Sequence, residues 1–379
     1  METRASDDER FMRLALRLAA RAIGDTSPNP VVGAVLVKRG RIIGQGYHRQ
    51  AGLAHAEVEA LRKAGERAAM GSTMYVTLEP CHHTGRTPPC CDAIIRAGIR
   101  RVVIATKDPN PITNGRGIAR LRRAGIRLTV GVLEEDARRL VAPFRKAITT
   151  KLPWMIVKIA QSLDGKIAAT TGQSRWISSV PARAFTHRLR HQVDAILVGV
   201  NTILQDDPDL SARGSRSVAR AGRPIVVVVD SHLRTPVSSR CLSDLFPRLA
   251  ILATTTRAAA KQEPFVRRGI EVVRFPPSPD GRVPLRRLCR TLLRRYGITS
   301  VLVEGGGEVV ASAFAERLVD RLVWVIAPLI IGGRRSPSAV GGEGIARLSQ
   351  AIRIRDVRVR RLGPDLVLDA APVYPRAHR

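Results

Sequence analysis

The sequence predicts two consecutive α/β domains, and three observations support that prediction. The chain has 379 residues, which is more than one ordinary hydrophobic core organises. Apolar runs of strand length alternate with helix-length segments along nearly the whole chain. A polar stretch with a proline, residues 149–153, interrupts this alternation and is the best candidate for a linker. We therefore expect one domain at residues 1–150 and a second at residues 151–379.

The first domain is expected to open with a helix and a β-hairpin. Ser6 and Glu9 form a capping-box pattern, and apolar residues then recur at helical spacing as far as about Ile23. Turn residues at 26–30 end this helix, and the hairpin is expected at 31–46. The elements expected after it are a helix at 55–64, a strand at 73–78, a helix at 88–98, a strand at 101–106, a helix at 117–124, a strand at 127–130 and a closing helix at 134–148.

The second domain continues the alternation of strands and helices. Its expected strands lie near residues 155–160, 195–200, 225–230, 249–253, 272–275, 300–304 and 322–327. Its expected helices lie near residues 181–191, 284–295 and 307–316. A stretch rich in arginine, serine and glycine, residues 211–223, is expected to form a mobile loop.

Composition restricts the class of protein. An apolar fraction of 44% is enough for packed domains and argues against global disorder. No apolar run reaches membrane-spanning length, and the polar, acidic N-terminus has no signal-peptide core, so we expect a cytoplasmic protein without a membrane partner. The five cysteines are an odd number, and three of them lie within eleven residues. This arrangement favours a metal site in a reduced compartment over a disulfide framework.

The net charge of +31 attracts polyanions, which leaves two interpretations. The charge could hold a nucleic acid, or it could accompany small phosphorylated substrates. The basic residues are spread along the whole chain, and only 4% of residues are aromatic, which leaves few surfaces for stacking bases. We therefore favour small substrates and expect no nucleic-acid partner. The sequence leaves the oligomeric state open, and a homo-oligomer is compatible with it.

A group of histidine, glutamate and cysteine residues in the first domain predicts a catalytic zinc site. His55 and Glu57 are followed by Cys81 and Cys90. Catalytic zinc keeps about three protein ligands and one open position for water, and His55, Cys81 and Cys90 supply three. Glu57 is then free to carry protons, as in zinc deaminases, while the metal lowers the pKa of its bound water towards neutrality.

The spacing of these residues restricts where the metal can lie. His55 and Glu57 are two residues apart and diverge on a helix, so both reach one metal only beyond the N-terminus of that helix. Cys90 also lies at an expected helix start, where the helix dipole favours a thiolate. His82 and His83 could compete as ligands, but we expect them to line the pocket.

Eight residues separate Cys81 from Cys90, where most zinc deaminases have two. The motifs around them closely resemble those of the bifunctional riboflavin-biosynthesis deaminase/reductase family. These motifs are Pro28-Asn29-Pro30-x-Val32-Gly33, His55-Ala56-Glu57, Thr77-Leu78-Glu79-Pro80-Cys81, Gly85-Arg86-Thr87-Pro88-Pro89-Cys90 and Asp108-Pro109-Asn110-Pro111.

The resemblance implies a cytidine-deaminase-like, three-layer domain in the first half of the chain. Its activity would be that of a hydrolase that removes the 2-amino group of 2,5-diamino-6-ribosylamino-4(3H)-pyrimidinone 5′-phosphate. The substrate contacts that it implies are Asn29, His48, His83, Arg86 and Asn110. Without the resemblance, Asn29 and Asn110 are most simply turn residues beside prolines.

A glycine run in the second half predicts an anion site. Residues 301–304 form a strand that leads into Gly305, Gly306 and Gly307 and then into a helix. Glycines at this position let backbone amides approach an anion, and the helix N-terminus adds a favourable dipole. A dinucleotide phosphate fits such a site, although the run is not the G-x-G-x-x-G fingerprint and could form only a tight turn.

The resemblance also covers the second half and implies a dihydrofolate-reductase-like α/β domain. This domain would use NADPH to reduce the ribosyl group of the deaminated product to ribityl. Lys158 and Glu304 would lie near the reacting carbon; their simpler interpretations are a strand-surface lysine and a helix-leading acidic residue. The NADP contacts implied are Ala160, Trp176, Thr202, Asp206, Ser231, Gly306, Gly307, Glu308, Val309, Val310, Ala311 and Ser312. The substrate contacts implied are Ser174, Arg190, Leu210, Arg213 and Glu304, of which the arginines suit the ribose phosphate.

Three alternatives remain open from the sequence. The chain could be a tRNA deaminase with a basic accessory domain, which the net charge would favour. Zinc could instead be a structural staple in a binding protein, although Glu57 would then have no purpose. The reductase half could also have lost its activity.

Overall fold

The computed structural model describes residues 7–85, 87–212, 224–243 and 248–375. The chain divides into two compact units, Met1–Lys151 and Leu152–Arg379. Each unit contains a β-sheet covered by helices, so the predicted α/β fold class is confirmed. None of the helices in the described ranges is both long and apolar enough to cross a membrane.

The first unit is built on a five-stranded sheet. Its elements are α1 (Asp7–Ala20), β1 (Gly33–Lys38), β2 (Arg41–Tyr47), α2 (Ala56–Ala64), α3 (Glu66–Ala69), β3 (Thr73–Leu78), α4 (Cys90–Arg96), β4 (Arg101–Thr106), α5 (Arg116–Arg123), β5 (Arg127–Val130), α6 (Glu134–Leu140) and α7 (Ala142–Thr150). The strand order is β2-β1-β3-β4-β5. Strand β1 pairs antiparallel with β2 and β3, and the remaining neighbours are parallel.

Alternating side chains on the central strand create the three layers of this unit. Met74 and Val76 of β3 pack into the core formed with α2, α4 and α5, whereas Tyr75 packs into the core formed with α1 and α6. Successive side chains of a strand point to opposite faces, so a strand with apolar residues at consecutive positions must be covered on both sides. The result is a helix–sheet–helix sandwich, as expected for a deaminase-like domain.

The closing helix expected at 134–148 is two helices, which corrects that prediction. Helix α6 ends at Leu140 and α7 begins at Ala142, with Pro143 in its first turn. Proline has no N–H to continue the helical hydrogen bonds but is favoured at the start of a new helix. Helix α7 then extends to Thr150 and ends on Lys151, whose φ is 57°. The expected linker at 149–153 is therefore shortened to the three residues between α7 and the next strand.

Close packing of α1 on β1 depends on a glycine, and this contact yields a testable prediction. A Cβ atom on Gly33 would lie 2.1 Å from the carbonyl oxygen of Ala15 and 2.8 Å from the amide nitrogen of Ala19. We expect Gly33→Ala to destabilise the first unit by about 1–3 kcal/mol, because the helix backbone must move away. Urea denaturation measures the change. Gly85→Ala, whose Cβ would meet no atom within 4 Å, is the matched control and should keep the wild-type midpoint; equal midpoints for the two variants would contradict the prediction.

The second unit is built on a nine-stranded sheet. Its elements are β6 (Trp154–Ser162), α8 (Val180–His191), β7 (Ala195–Gly199), α9 (Val200–Asp206), β8 (Ile225–Val229), β9 (Ala250–Thr254), α10 (Ala259–Val266), β10 (Glu271–Arg274), α11 (Leu285–Tyr296), β11 (Ser300–Glu304), α12 (Gly307–Ala315), β12 (Val319–Ala327), β13 (Arg353–Leu362) and β14 (Asp365–Val373). The strand order is β10-β9-β8-β7-β11-β6-β12-β14-β13. The strands from β10 to β12 are parallel, and β14 and β13 add an antiparallel hairpin at the edge.

The edge hairpin was not expected from the sequence. Strand β13 alternates arginine with Ile354, Val357 and Val359, and its residues are exposed on both faces up to residue 361. The stretch therefore lacks the apolar run that reveals a buried strand. Residues 213–223 of the expected mobile loop lie outside the described part of the chain.

The parallel strands bring their carboxyl ends to one edge of this sheet. The loops after β6, β7, β8 and β11 therefore meet there, which is where ligands bind in open parallel sheets. Most of the residues that we expected to contact cofactor or substrate in this unit follow one of these strands.

Candidate active sites

The three expected zinc ligands meet at one point in the first unit. Their ligand atoms all lie within 4.8 Å of one another. His55 Nδ1 is 3.1 Å from Cys90 Sγ and 3.7 Å from Cys81 Sγ. His55 is the N-cap of α2, Cys90 is the first residue of α4, and Cys81 follows β3. The two helix starts and one strand end thus hold three ligands from distant parts of the sequence.

The chemistry of these three side chains suits zinc. One imidazole and two thiols are the ligands of many catalytic zinc sites, and the group formed by the described residues contains no fourth ligand. A hydrogen bond with the Cys90 thiol, and then one with His55, lower the pKa of Cys81 to about 4 against the opposing effect of burial. The same bond raises the pKa of Cys90. Of the two hydrogen-bonded thiols, Cys81 is therefore the one that loses its proton more readily.

Thr87 orients the histidine ligand and was not expected from the sequence. Its Oγ1 atom lies 3.3 Å from Nε2 of His55. A proton on Nε2 can be donated to this hydroxyl, which leaves Nδ1 unprotonated and directed at the two sulfur atoms. Thr87 lies in the eight-residue segment between the cysteines, so this segment contributes to the ligand geometry.

Glu57 lies beside the ligand group and is almost fully buried. It belongs to the first turn of α2 and is only 3% exposed. Burial raises the pKa of Glu57, and this effect outweighs the nearby charge of His55. A carboxyl group with a raised pKa holds and releases a proton more readily near neutral pH than an exposed glutamate does.

Asn29 and His48, two expected substrate contacts, are hydrogen-bonded to each other. Asn29 Nδ2 is 3.1 Å from His48 Nε2, and His48 Nδ1 is 3.2 Å from the carbonyl oxygen of Ala54. Because a carbonyl accepts only, Nδ1 carries the proton and Nε2 accepts from Asn29. Burial lowers the pKa of His48, which keeps the ring neutral in this arrangement. The side-chain oxygen of Asn29 remains available to a ligand.

The other expected substrate contacts of this unit differ in what their side chains do. The Nδ1 atoms of His82 and His83 are buried and have no hydrogen-bond partner among the described residues. The side-chain oxygen of Asn110 accepts a hydrogen bond from the amide of Ile112 at 3.1 Å, which is the turn role considered above. Arg86 lies outside the described residues.

A cavity of about 1360 Å³ opens at the strand ends of the second unit. It is lined by most of the cofactor and substrate contacts that we expected there. These residues are Lys158, Ala160, Ser174, Trp176, Arg190, Thr202, Asp206, Leu210, Ser231, Glu304, Gly306, Gly307, Glu308, Val309, Val310 and Ser312. Ala311 does not line the cavity. It lies beside Gly342, and a Cβ atom added to Gly342 would be 3.0 Å from the Cβ atom of Ala311. Arg213 lies outside the described residues.

The glycine run forms a tight turn on the wall of this cavity. Gly305 and Gly306 have φ angles of 82° and 80°, which side chains rarely tolerate, and α12 begins at Gly307. A Cβ on Gly307 would lie 2.7 Å from the carbonyl oxygen of Ser338. The turn therefore needs glycine for its backbone conformation and its packing, and it presents the N-terminus of α12 to the cavity.

A buried ion pair lies at the other end of the glycine turn. Arg190 donates from Nε to Oε1 of Glu304 at 2.7 Å and from a terminal nitrogen to Oε2 at 2.9 Å. Its remaining terminal nitrogen donates to the carbonyl oxygen of Ser211 at 2.8 Å. Burial, the largest single effect, would raise the pKa of Glu304, but the charge and hydrogen bonds of Arg190, together with the nearby charges of Lys158 and His187, outweigh it and the pKa is lowered. The fork of Arg190 is thus engaged by the Glu304 carboxylate.

Lys158 lies next to this ion pair because β6 and β11 are adjacent and in register. Lys158 and Glu304 are direct partners in the parallel pairing. Burial lowers the pKa of Lys158, and Glu304 opposes that effect only in part. The cavity thus places an amine, a guanidinium and a carboxylate together at one end.

The sequence did not indicate several other residues of the cavity wall. The guanidinium of Arg183 stacks 4.4 Å from the ring centre of Trp176, which is itself an expected contact. Asn201 accepts a hydrogen bond from Arg234, and both residues line the cavity. Arginine is so abundant in this chain that its position alone gives no functional signal.

Comparison with protein families matches each half of the chain separately. Residues 5–106 match the cytidine and deoxycytidylate deaminase zinc-binding region. Residues 153–368 match the RibD C-terminal domain.

Full-length relatives and solved structures agree with these matches. The chain is 44% identical over 362 residues to riboflavin biosynthesis protein RibD of Aquifex aeolicus, covering 95% of this chain and 97% of that protein. It is 40% identical over 373 residues to RibD of Escherichia coli, covering 95% and 98%. RibD of Acinetobacter baumannii superposes with a TM-score of 0.86 at 35% identity, covering 97% of this chain and 99% of that one. A diaminohydroxyphosphoribosylaminopyrimidine deaminase/5-amino-6-(5-phosphoribosylamino)uracil reductase from Thermotoga maritima gives a TM-score of 0.84 at 33% identity, with the same coverage.

These findings decide among the functional alternatives. A zinc-binding deaminase region together with the His/Cys/Cys group confirms zinc as a cofactor, and the reductase domain confirms NADPH. A tRNA deaminase with a basic accessory domain is not favoured, because the second half matches a reductase domain. The predicted pair of hydrolase and oxidoreductase activities is likewise confirmed. The chain belongs to the RibD family, the bifunctional deaminase/reductase enzymes of riboflavin biosynthesis, which act on phosphorylated pyrimidines.

Proposed function

We propose that the first unit deaminates 2,5-diamino-6-ribosylamino-4(3H)-pyrimidinone 5′-phosphate and that the second unit reduces the ribosyl group of the product to ribityl. The observation that carries this proposal is the meeting of His55, Cys81 and Cys90 beside the buried carboxyl group of Glu57. Three protein ligands leave a position for water, and a proton carrier stands next to it.

In the first unit, His55, Cys81 and Cys90 would hold zinc, which when bound supplies hydroxide near neutral pH. Glu57 takes a proton from the attacking water and delivers it to the pyrimidine ring nitrogen. It then takes the second proton from the hydroxyl group added to the ring carbon and delivers it to the amino group, which leaves as ammonia as the C–N bond breaks. Asn29 offers its side-chain oxygen to the substrate because His48 holds its amide nitrogen. His83, Arg86 and Asn110 complete the proposed pocket.

In the second unit, the glycine turn and the start of α12 would hold the phosphates of NADPH, which when bound would supply the hydride. The cavity of about 1360 Å³ exceeds the roughly 300–1,000 Å³ typical of a site for one small molecule, so it has room for cofactor and substrate together. Lys158 and Glu304 flank the reacting carbon of the substrate. Because the pKa of Lys158 is lowered, its amine gives up a proton more readily than an exposed lysine does.

Both reactions use anionic small molecules. The attraction of these substrates accounts for the net charge of +31, and no nucleic-acid partner is needed to explain it. An assay of the same enzyme with tRNA and with the phosphorylated pyrimidine separates the two substrate classes. We expect ammonia release from the pyrimidine only. Release from tRNA alone would contradict the proposed function.

Removal of zinc provides the direct test of which unit performs which reaction. We expect dialysis against a chelator to abolish ammonia release, because the ligand group belongs to the first unit. NADPH-dependent reduction of the deaminated substrate should continue at its original rate, since none of the proposed reductase residues belongs to the ligand group. Added zinc should restore deamination. Loss of both activities on chelation, or of neither, would contradict this division of function.

A further inference from the structure

Glu79 is a buried carboxylate beside the zinc ligands that has no part in the proposed chemistry. It follows β3, lies two residues before Cys81 and is 3% exposed. Its Oε2 atom accepts hydrogen bonds from the amides of Asp108 at 3.2 Å and Gly115 at 3.0 Å. Its Oε1 atom accepts one from the amide of Ile118 at 3.1 Å. In the described ranges no basic side chain forms an ion pair with it, so backbone amides alone satisfy this carboxylate.

All three amides belong to one segment, residues 108–118, which connects β4 to the first turn of α5. Gly115 is the N-cap of α5, with a φ of 77°, and Ile118 lies in its first turn. The first amides of a helix have no partner within the helix and carry a partial positive charge. Glu79 therefore caps α5 from a distant part of the sequence and fixes both ends of the segment.

The same segment packs against the turn that carries the zinc ligand. A Cβ on Gly117 would lie only 2.0 Å from the carbonyl oxygen of Pro80. The Cys91 sulfur lies 3.4 Å from that oxygen and 3.7 Å from the carbonyl oxygen of Gly117. The start of α5 and the Pro80–Cys81 turn are thus in direct backbone contact.

Glu79 is also linked by hydrogen bonds, through Asp108, to Asn110, which is an expected substrate contact. It binds the amide of Asp108, and the Asp108 carboxylate in turn accepts the amide of Asn110 at 2.8 Å. The other hydrogen bonds of Asn110 among the described residues lie within the segment itself, so the relay is what links Asn110 to Glu79 and the ligand turn. A change at Glu79 would therefore reach Asn110 without touching the substrate.

We propose that Glu79 is a positioning residue of the deaminase, which holds residues 108–118 so that Asn110 faces the pyrimidine. This inference rests on the proposed function. The carboxylate is suited to the task because it offers acceptors on both oxygens to three amides at once. A glutamine has one acceptor oxygen and would set its own NH₂ group against at least one of these amides.

The test compares Glu79→Gln with wild type in the full-length enzyme. We expect KM for the phosphorylated pyrimidine to rise about ten- to hundredfold, as for the loss of one or two hydrogen bonds to a charged group, while kcat falls less. Zinc content should remain one per chain, and NADPH-dependent reduction should be unchanged. Hydrogen exchange should accelerate in residues 108–118 and stay at wild-type rates in α2. Glu59→Gln is the matched control, because Glu59 is a carboxylate of α2 whose ion pairs in the described part of the chain are with Arg62 and Arg49; it should keep wild-type KM.

The outcomes separate this inference from the proposed function. If wild type releases no ammonia from the phosphorylated pyrimidine, the proposed function itself fails. If wild type is active and Glu79→Gln has the same KM and kcat, the positioning role is wrong. A variant that loses zinc or fails to fold would also overturn it, since Glu79 would then be a structural residue of the ligand turn.

Discussion

The Glu57→Gln enzyme is expected to keep its zinc and its fold but to release ammonia about 10²–10⁴-fold more slowly, which is the usual contribution of a positioned general acid–base group. Glutamine has nearly the same shape, so the buried site beside His55 and Cys90 should not change. It cannot accept the proton of the attacking water. Ammonia release under single-turnover conditions, with zinc content measured on the same sample, checks the prediction.

The second unit provides the control for this variant within the same molecule. NADPH oxidation with deaminated substrate should proceed at the wild-type rate. Loss of zinc and of the folded first unit in Glu57→Gln would instead favour a structural zinc. A variant that deaminates at the wild-type rate would remove Glu57 from the mechanism.

Loss of Arg190 is expected to have the largest effect in the second unit. Arg190→Leu leaves the Glu304 carboxylate buried without its bidentate partner, and removal of one member of a buried pair costs about 3–5 kcal/mol. Lys158 compensates for part of this cost, so the lower end of the range is expected. Reductase activity should fall with stability, whereas deamination should not change. Urea denaturation and NADPH oxidation measure the two effects.

Wild type and Arg190→Leu are expected to differ in the direction in which their stability changes with pH. In wild type the folded pKa of Glu304 is below its ordinary value of 4.5, so the pair stabilises the unit above that pH and its contribution is lost as the pH falls through the folded pKa. In Arg190→Leu, burial is less opposed and raises the pKa of Glu304. The variant should therefore regain stability as the pH falls from neutrality towards 4.5, while wild type does not.

A double variant separates two effects: the loss of stability caused by the unpaired Glu304 carboxylate, and the loss of reductase activity caused by the absence of Arg190 and Glu304. Arg190→Met combined with Glu304→Leu replaces the pair with apolar groups of similar size, which is often neutral for stability. We expect it to be more stable than Arg190→Leu but less stable than wild type, because Lys158 loses the carboxylate beside it, and to remain inactive as a reductase. A double variant as unstable as Arg190→Leu would show that the unpaired charge is not the cause.

The sequence was sufficient for features that depend on local patterns. The alternation of strands and helices predicted both sheets, and the spacing of His55 and Glu57 predicted that the ligands meet at helix starts. Local sequence patterns predict such features correctly because helix capping, turn formation and the alternation of buried side chains along a strand depend on only a few neighbouring residues. The split of the closing helix at Val141 was missed although Pro143 was visible.

Other features could not be predicted, because they join residues far apart in the chain. Arg190 and Glu304 are separated by 114 positions, and Glu79 finds its amide partners 29 to 39 positions later. Nothing in either neighbourhood indicates these partners. The hairpin of β13 and β14 was hidden for a different reason, since arginines interrupt the apolar residues of β13, and β14 was not recognised without its partner.

The two compact units, each with its own core, belong to one chain, and this fixes the ratio of deaminase units to reductase units at one to one. Every round of translation yields one deaminase and one reductase, whatever the level of expression. The balance between the two steps therefore cannot be adjusted by gene dosage or by the separate turnover of two proteins. It changes when a mutation or a condition alters the rate of one unit alone, as the removal of zinc from the ligand group is expected to do.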